Sequence, residues 1–154
     1  MIRIKPHHFI DLLAAFGRGE SVPGPHPYGH ALHMVTGRIL REPDVLLEID
    51  LGADDICLPC RHNVNGLCDD TIDTSFRPAA PASKRDYNLL IDQRWCERLG
   101  LAQGDRLTVR AFCLQLRERM GDLAGIYREN PPERTEQRAR DLAAGIAFLL
   151  SLGG

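Results

Sequence analysis

Three of the five cysteines fall within one short run, Cys57-Leu58-Pro59-Cys60-Arg61-His62-Asn63-Val64-Asn65-Gly66-Leu67-Cys68, with the spacing C-x2-C-x7-C. Two thiolates separated by two residues can turn back onto one ion or one cluster edge. A returning loop then brings a third to the same centre. Asn63, Asn65 and Gly66 tolerate left-handed backbone, which such a reversal needs. The surroundings are polar, with Arg61 and His62 after Cys60 and Asp69 and Asp70 after Cys68. Such a segment is not apolar core, so it reads as a soft-metal knuckle with Cys57, Cys60 and Cys68 as ligands. A thioredoxin-like use of Cys57-x-x-Cys60 is the weaker reading, because that motif sits at a strand-to-helix junction without a third cysteine nearby.

Three ligands leave the centre incomplete. Cys96 and Cys113 could each add a thiolate, but both have apolar neighbours on helices, where a free cysteine packs as a small hydrophobe. His62 lies inside the loop as a site-lining candidate, with a solvent-facing position expected. His7 and His8 open a helix directly after Pro6, with Asp11 one turn on, and could line a metal or proton-transfer site. His26, His30 and His33 are about one turn apart, yet His26 lies between prolines, so a solvated face is the expectation. No nucleotide-binding loop, serine elbow or HExxH is present. The Arg–Glu alternation of Arg117-Glu118-Arg119 and the run Arg134 to Arg140 read as solvated helix surface.

These residues need a scaffold, and its parts are visible in the periodicity. Ile2-Arg3-Ile4 reads as an edge strand stopped by Pro6. Phe9, Leu12, Leu13 and Phe16 predict a helix over His7–Phe16, ended by Gly17 and Gly19. Ser21–Pro27 is a proline-rich loop, and Tyr28, Leu32, Val35 and Ile39 predict a second helix to about Arg41. Asp44–Asp50 reads as a second strand, parallel to the first through a helical crossover. Asp70–Ser83 is irregular, and a helix over Lys84–Leu99 ends at Gly100. Gly104-Asp105 is a turn, and Thr108 caps a helix bearing Val109, Phe112, Cys113, Leu116 and Met120. A short helical piece follows in Asp122–Arg128. A last helix opens at Pro131-Pro132-Glu133 and carries the stripe Leu142, Ile146, Leu149 and Leu150. The expected fold is α+β, predominantly helical, with a small two-stranded sheet and the cysteine loop, in one domain spanning 1–154.

Composition narrows the function classes. The 154 residues are 44% hydrophobic and 26% charged, ordinary for a globular chain with one core. A formal net charge of −2 offers no basic field for nucleic acid or anionic membrane. No apolar run approaches the roughly 20 residues that span a bilayer. The first residues, Met1 to His8, contain no apolar signal core, so a cytoplasmic setting is expected, where thiols stay reduced and bind metal.

Several of these stretches together resemble the domain of unknown function 1284 family, bacterial and archaeal proteins to which iron–sulfur binding is attributed. Members open with a pattern like R-x-R-P-H-H-L-L-C and a Gly-x-Gly loop, matched by Ile2 to Asp11 and by Gly17-Arg18-Gly19. A D-D-I-C-x-x-C-P-x-x-x-x-G-x-C type segment is matched by Asp54 to Cys68. A later D-x-x-x-L-x-x-L-G-L-x-x-G-D pattern is similar to Asp92–Leu101 with Gly104-Asp105. The resemblance covers about the first 110 residues, with an insertion around Asp73–Ser83. It implies an iron–sulfur cofactor and names no reaction. It also puts Asp11 where the family has a cysteine, making Asp11 a candidate ligand beside His7 or His8. Ile126–Asn130 stands where many members carry a second cysteine cluster. The expectation is a cytoplasmic metal-binding protein, iron–sulfur in the leading reading, working with a protein or redox partner. A structural zinc knuckle, or a relative that has lost its metal, are the alternatives.

Overall fold

A computed structural model describes residues 1–152. Strand β1 (Ile2–Ile4) lies parallel to β2 (Leu46–Ile49), with Ile2 opposite Leu47 and Ile4 opposite Ile49. The connection between them contains α1 (Pro6–Gly17) and α2 (Leu32–Arg41), as the crossover requires. The sheet has three strands rather than the expected two. Past a two-stranded hairpin (β3, Asn63–Val64; β4, Leu67–Cys68) and α3 (Lys84–Leu99), β5 (Arg106–Thr108) pairs antiparallel with β2, giving the order β1-β2-β5. Arg106-Leu107-Thr108 is too short to show alternation against the helix that follows. That helix is α4 (Val109–Arg119), and Thr108 caps it as predicted, its hydroxyl accepting from the Ala111 N–H at 3.0 Å. A single 3-10 turn occupies Leu123–Gly125, and α5 spans Pro132–Ser151.

Helix α3 begins and ends where the sequence places it. Ser83 accepts from the Asp86 N–H, and Gly100 closes the helix at φ 70° in the left-handed region. Helix α2 starts later than expected, because Gly29 (φ 76°) turns the chain after Tyr28. Tyr28 leaves the α2 stripe and packs on the cysteine loop, with the Arg61 guanidinium 4.6 Å from its ring centre.

The hydrophobic core runs from Ile2 to Leu149 and contains Phe9, Trp95, Phe112, Leu142 and Ile146, all at most 2% exposed. Helix α5 crosses α1 at a backbone contact. A Cβ on Gly17 would lie 1.8 Å from the Asp141 carbonyl oxygen, and one on Gly145 would lie 1.8 Å from that of Leu13. Gly17 is therefore a packing residue as well as the end of α1. No helix among the described residues is long and apolar enough to cross a membrane.

Candidate metal centre

The cysteine loop is a chain of tight turns closed by the hairpin. Asn65 (φ 54°) and Gly66 (φ 84°) both adopt the left-handed conformation that a two-residue hairpin turn demands. Cys68 pairs opposite Asn63, and the Cys60 N–H donates to the Cys57 carbonyl at 2.9 Å. All three cysteines are free and half-buried. The loop is tied down at both shoulders, since the Arg61 N–H reaches the Tyr28 carbonyl and the Ala31 N–H that of Ile56.

Asp54 organises the start of the knuckle. It is wholly buried, and each carboxylate oxygen accepts two hydrogen bonds. One oxygen takes the N–H groups of Ile56 (3.1 Å) and Cys57 (3.0 Å). The other takes the Lys5 N–H (2.8 Å) and lies 2.7 Å from His8 Nδ1. Burial works against ionisation, but His8 and these donors hold the carboxyl well below the usual range. An ionised Asp54 has no proton to give, so His8 Nδ1 carries the hydrogen. Burial and the neighbouring His7 lower the His8 pKa, which keeps the ring neutral with its lone pair on Nε2.

One nitrogen of His8, one oxygen of Asp54 and the Cys57 sulfur lie within 4.8 Å of one another, the one such trio of potential ligands among the described residues. Asp54 is already saturated, so its part there is to orient the other two. Burial and the Asp54 charge push the Cys57 thiol up to about 12. A bound cation would supply the missing compensation.

The sulfurs of Cys57, Cys60 and Cys68 share the knuckle but are not all within that 4.8 Å limit. His62, expected to face solvent, has a buried Nε2 without a hydrogen-bond partner, while its Nδ1 is 2.7 Å from Asp69. Asn63 Oδ1 beside it is likewise buried and unpartnered. Buried polar atoms of this kind are normally satisfied, so the knuckle has room in its chemistry for a further polar group or cation.

Asp11 departs from expectation. It forms an ion pair with Arg138 of α5 at 2.5 Å and does not join the knuckle, because the turn of α1 that carries it faces α5. His7 turns away from its neighbour too. Its backbone N–H and Nδ1 both bond Asp92 of α3, at 2.7 to 2.9 Å. Cys96 and Cys113 are buried in the hydrophobic core, the packing role their neighbours suggested. His26 and His30 stack at 4.4 Å outside α2, and with His33 they form no ligand trio among the described residues. The residue that sequence reasoning missed is Asp54. Its place three residues before Cys57 matches a carboxylate capping the first turn of the loop, the one signal that would have found it.

Searches against protein-family models, curated proteins and solved structures return no match for this chain.

Proposed function

We propose that this chain holds a soft metal centre at the knuckle, with Cys57, Cys60 and Cys68 as thiolate ligands and His8 as the fourth donor. The observation that carries this reading is Asp54, a buried carboxylate saturated by four hydrogen bonds that sets His8 and Cys57 side by side. A metal-bound imidazole characteristically donates its other N–H to a carboxylate, the relation His8 has to Asp54. The orphaned His62 Nε2 supports a polar occupant and makes His62 the alternative imidazole. His8 thus takes the place the resemblance to the domain of unknown function 1284 family implied for Asp11.

In the leading reading the group is an iron–sulfur cluster, whose chemistry is one-electron transfer to a protein partner in the cytoplasm. A structural zinc ion is the second reading. It is favoured by the mixed set of three thiolates and one imidazole, a closed tetrahedral combination typical of zinc. In either case the chain's own part is to fix the thiols in the turns and hairpin of the knuckle and hold the proton of His8 on Nδ1.

Metal analysis and a visible spectrum, taken on protein purified without oxygen, test the proposal. Iron with broad visible absorbance supports the cluster, and colourless protein with one zinc supports the staple. Cys60→Ser should lower metal content several-fold before it lowers stability. Metal-free protein, or Cys60→Ser protein with unchanged stoichiometry, would overturn the ligand set.

A further inference from the structure

Beside α1 lies a cleft lined by residues that the metal centre does not use. Two cavities, of about 450 and 160 Å3, share Asp11, Arg77, Tyr127 and Arg138 as walls. The larger is lined by four guanidiniums, from Arg18, Arg77, Arg134 and Arg138, against two carboxylates, Asp11 and Asp141. Arg18 is also bonded by Glu20 at 2.6 Å, so of the four guanidiniums Arg77 and Arg134 are the two without a carboxylate partner among the described residues.

The carboxylates are already engaged. Asp11 pairs with Arg138, and Asp141 accepts from Gln137 at 2.8 Å with Arg18 at 3.6 Å. Arg77 and Arg134 have no carboxylate within 4.0 Å among the described residues, yet both stand over the Phe76 ring, 4.7 and 3.8 Å from its centre. Two like charges crowded on one ring repel unless an anion joins them. Arg77 also lies 4.6 Å from the Tyr87 ring centre, and Arg138 lies 4.4 Å from that of Tyr127. Stacking occupies the faces of a guanidinium and leaves its in-plane N–H donors open. The turn that presents Arg77 is stitched in place, since Asp73 accepts from the Ser75 N–H and its carbonyl from Arg77 Nε, each at 2.8 Å.

We propose that this cleft binds a small organic phosphate, its dianion taken by Arg77, Arg134 and Arg138 and its organic body by the larger cavity. The two unpaired guanidiniums, Arg77 and Arg134, match the two charges of a phosphate dianion, and planar guanidinium forks match its oxygens. A cavity of about 450 Å3 is ligand-sized. Arg134 and Arg138 therefore form part of a binding wall, where their sequence context suggested only solvated surface.

Calorimetric titration of the as-purified protein in chloride buffer with glycerol 3-phosphate, AMP, inorganic phosphate and citrate tests the proposal. Saturable 1:1 binding of either organic phosphate is expected. Affinity should fall about tenfold or more in Arg134→Gln and in Arg77→Gln. Arg117→Gln, on the exposed face of α4, should leave it unchanged. Circular dichroism on each variant confirms folding, and parallel metal analysis separates a failure here from a failure at the knuckle. Binding of inorganic phosphate as tightly as either ester, with the same losses, keeps the anion site and makes free phosphate its ligand. No saturable binding, citrate bound tighter than every phosphate, or equal losses in Arg117→Gln would overturn the site.

Discussion

The two flanks of α1 are built from adjacent residues and carry opposite chemistry. His8 turns to Asp54 and Cys57, a set of neutral or negative donors. His7 turns to Asp92 and lines a cleft whose arginines outnumber its carboxylates. Both rings are pinned through Nδ1 to a buried aspartate, and their centres are only 4.3 Å apart. The surroundings separate them electrically. At His7 burial opposes the charge but Asp92 prevails and raises the pKa, whereas at His8 burial and the His7 charge prevail over Asp54. One dipeptide thus serves two environments because successive helical residues point about 100° apart.

Asp54→Ala should break the comparison most strongly, by collapsing one side. It strands His8 Nδ1 and the N–H groups of Lys5, Ile56 and Cys57, of which Lys5 and Ile56 are buried, at a cost of about 3–5 kcal/mol. Chemical denaturation should record that loss, and metal stoichiometry should fall with it. Glycerol 3-phosphate affinity of the folded fraction should stay at the wild-type value. A parallel fall would mean that the two flanks are one site.

Gly145→Ala should act on the other side. The added methyl meets the Leu13 backbone, and forcing α5 off α1 should cost about 1–3 kcal/mol. Arg134 and Arg138 ride on α5 and Asp11 on α1, so phosphate affinity should drop while metal content holds. Thermal unfolding with both binding assays checks this, and unchanged stability would show that the crossing has slack.

The smallest effect should come from the Arg94–Glu129 pair, which with the Ile126 carbonyl anchors the segment leading to Tyr127. Hydrogen bonds from Arg94, with its charge, lower the Glu129 pKa against the opposing effect of burial. A depressed carboxylate contributes stability that is fully present above its unfolded pKa, about 4.3. That contribution is lost as pH falls through the lower folded value. Wild-type protein should therefore lose about 1 kcal/mol more than Glu129→Gln on acidification below about pH 4. Equal acid sensitivity in the two proteins would remove the pair's role.

What was legible in the sequence follows the same division. The knuckle is local, so its spacing, its Asn65-Gly66 turn and its polar flanks could be read in order along the chain. The bounds of α3, Lys84–Leu99, were legible for the same reason, because the glycine stop at Gly100 is a local signal. The cleft draws on residues 18, 77, 134 and 138, which only tertiary packing brings together, and each alone resembles a surface arginine. Asp11 illustrates the failure in reverse. The resemblance, which puts it where the family has a cysteine beside two histidines, suggested a ligand, but the rotation of α1 and the arrival of Arg138 from far along the chain assigned it elsewhere. Strand β5 was missed because three residues carry too little alternation to outweigh the helix they precede.

The glycine crossing of α1 and α5 bears on how this molecule tolerates mutation. Where two helices meet through side chains, a changed side chain can be absorbed by sliding one helix along the other. Here Gly17 and Gly145 bring main chain against main chain, and nothing at that point can shrink or rotate to permit a slide. Truncations nearby, at Leu142 or Leu149, therefore leave voids in place instead of shifting the register. The relative position of the arginines on α5 and the acid on α1 is then inherited from the backbone, and outlasts drift in the core around it.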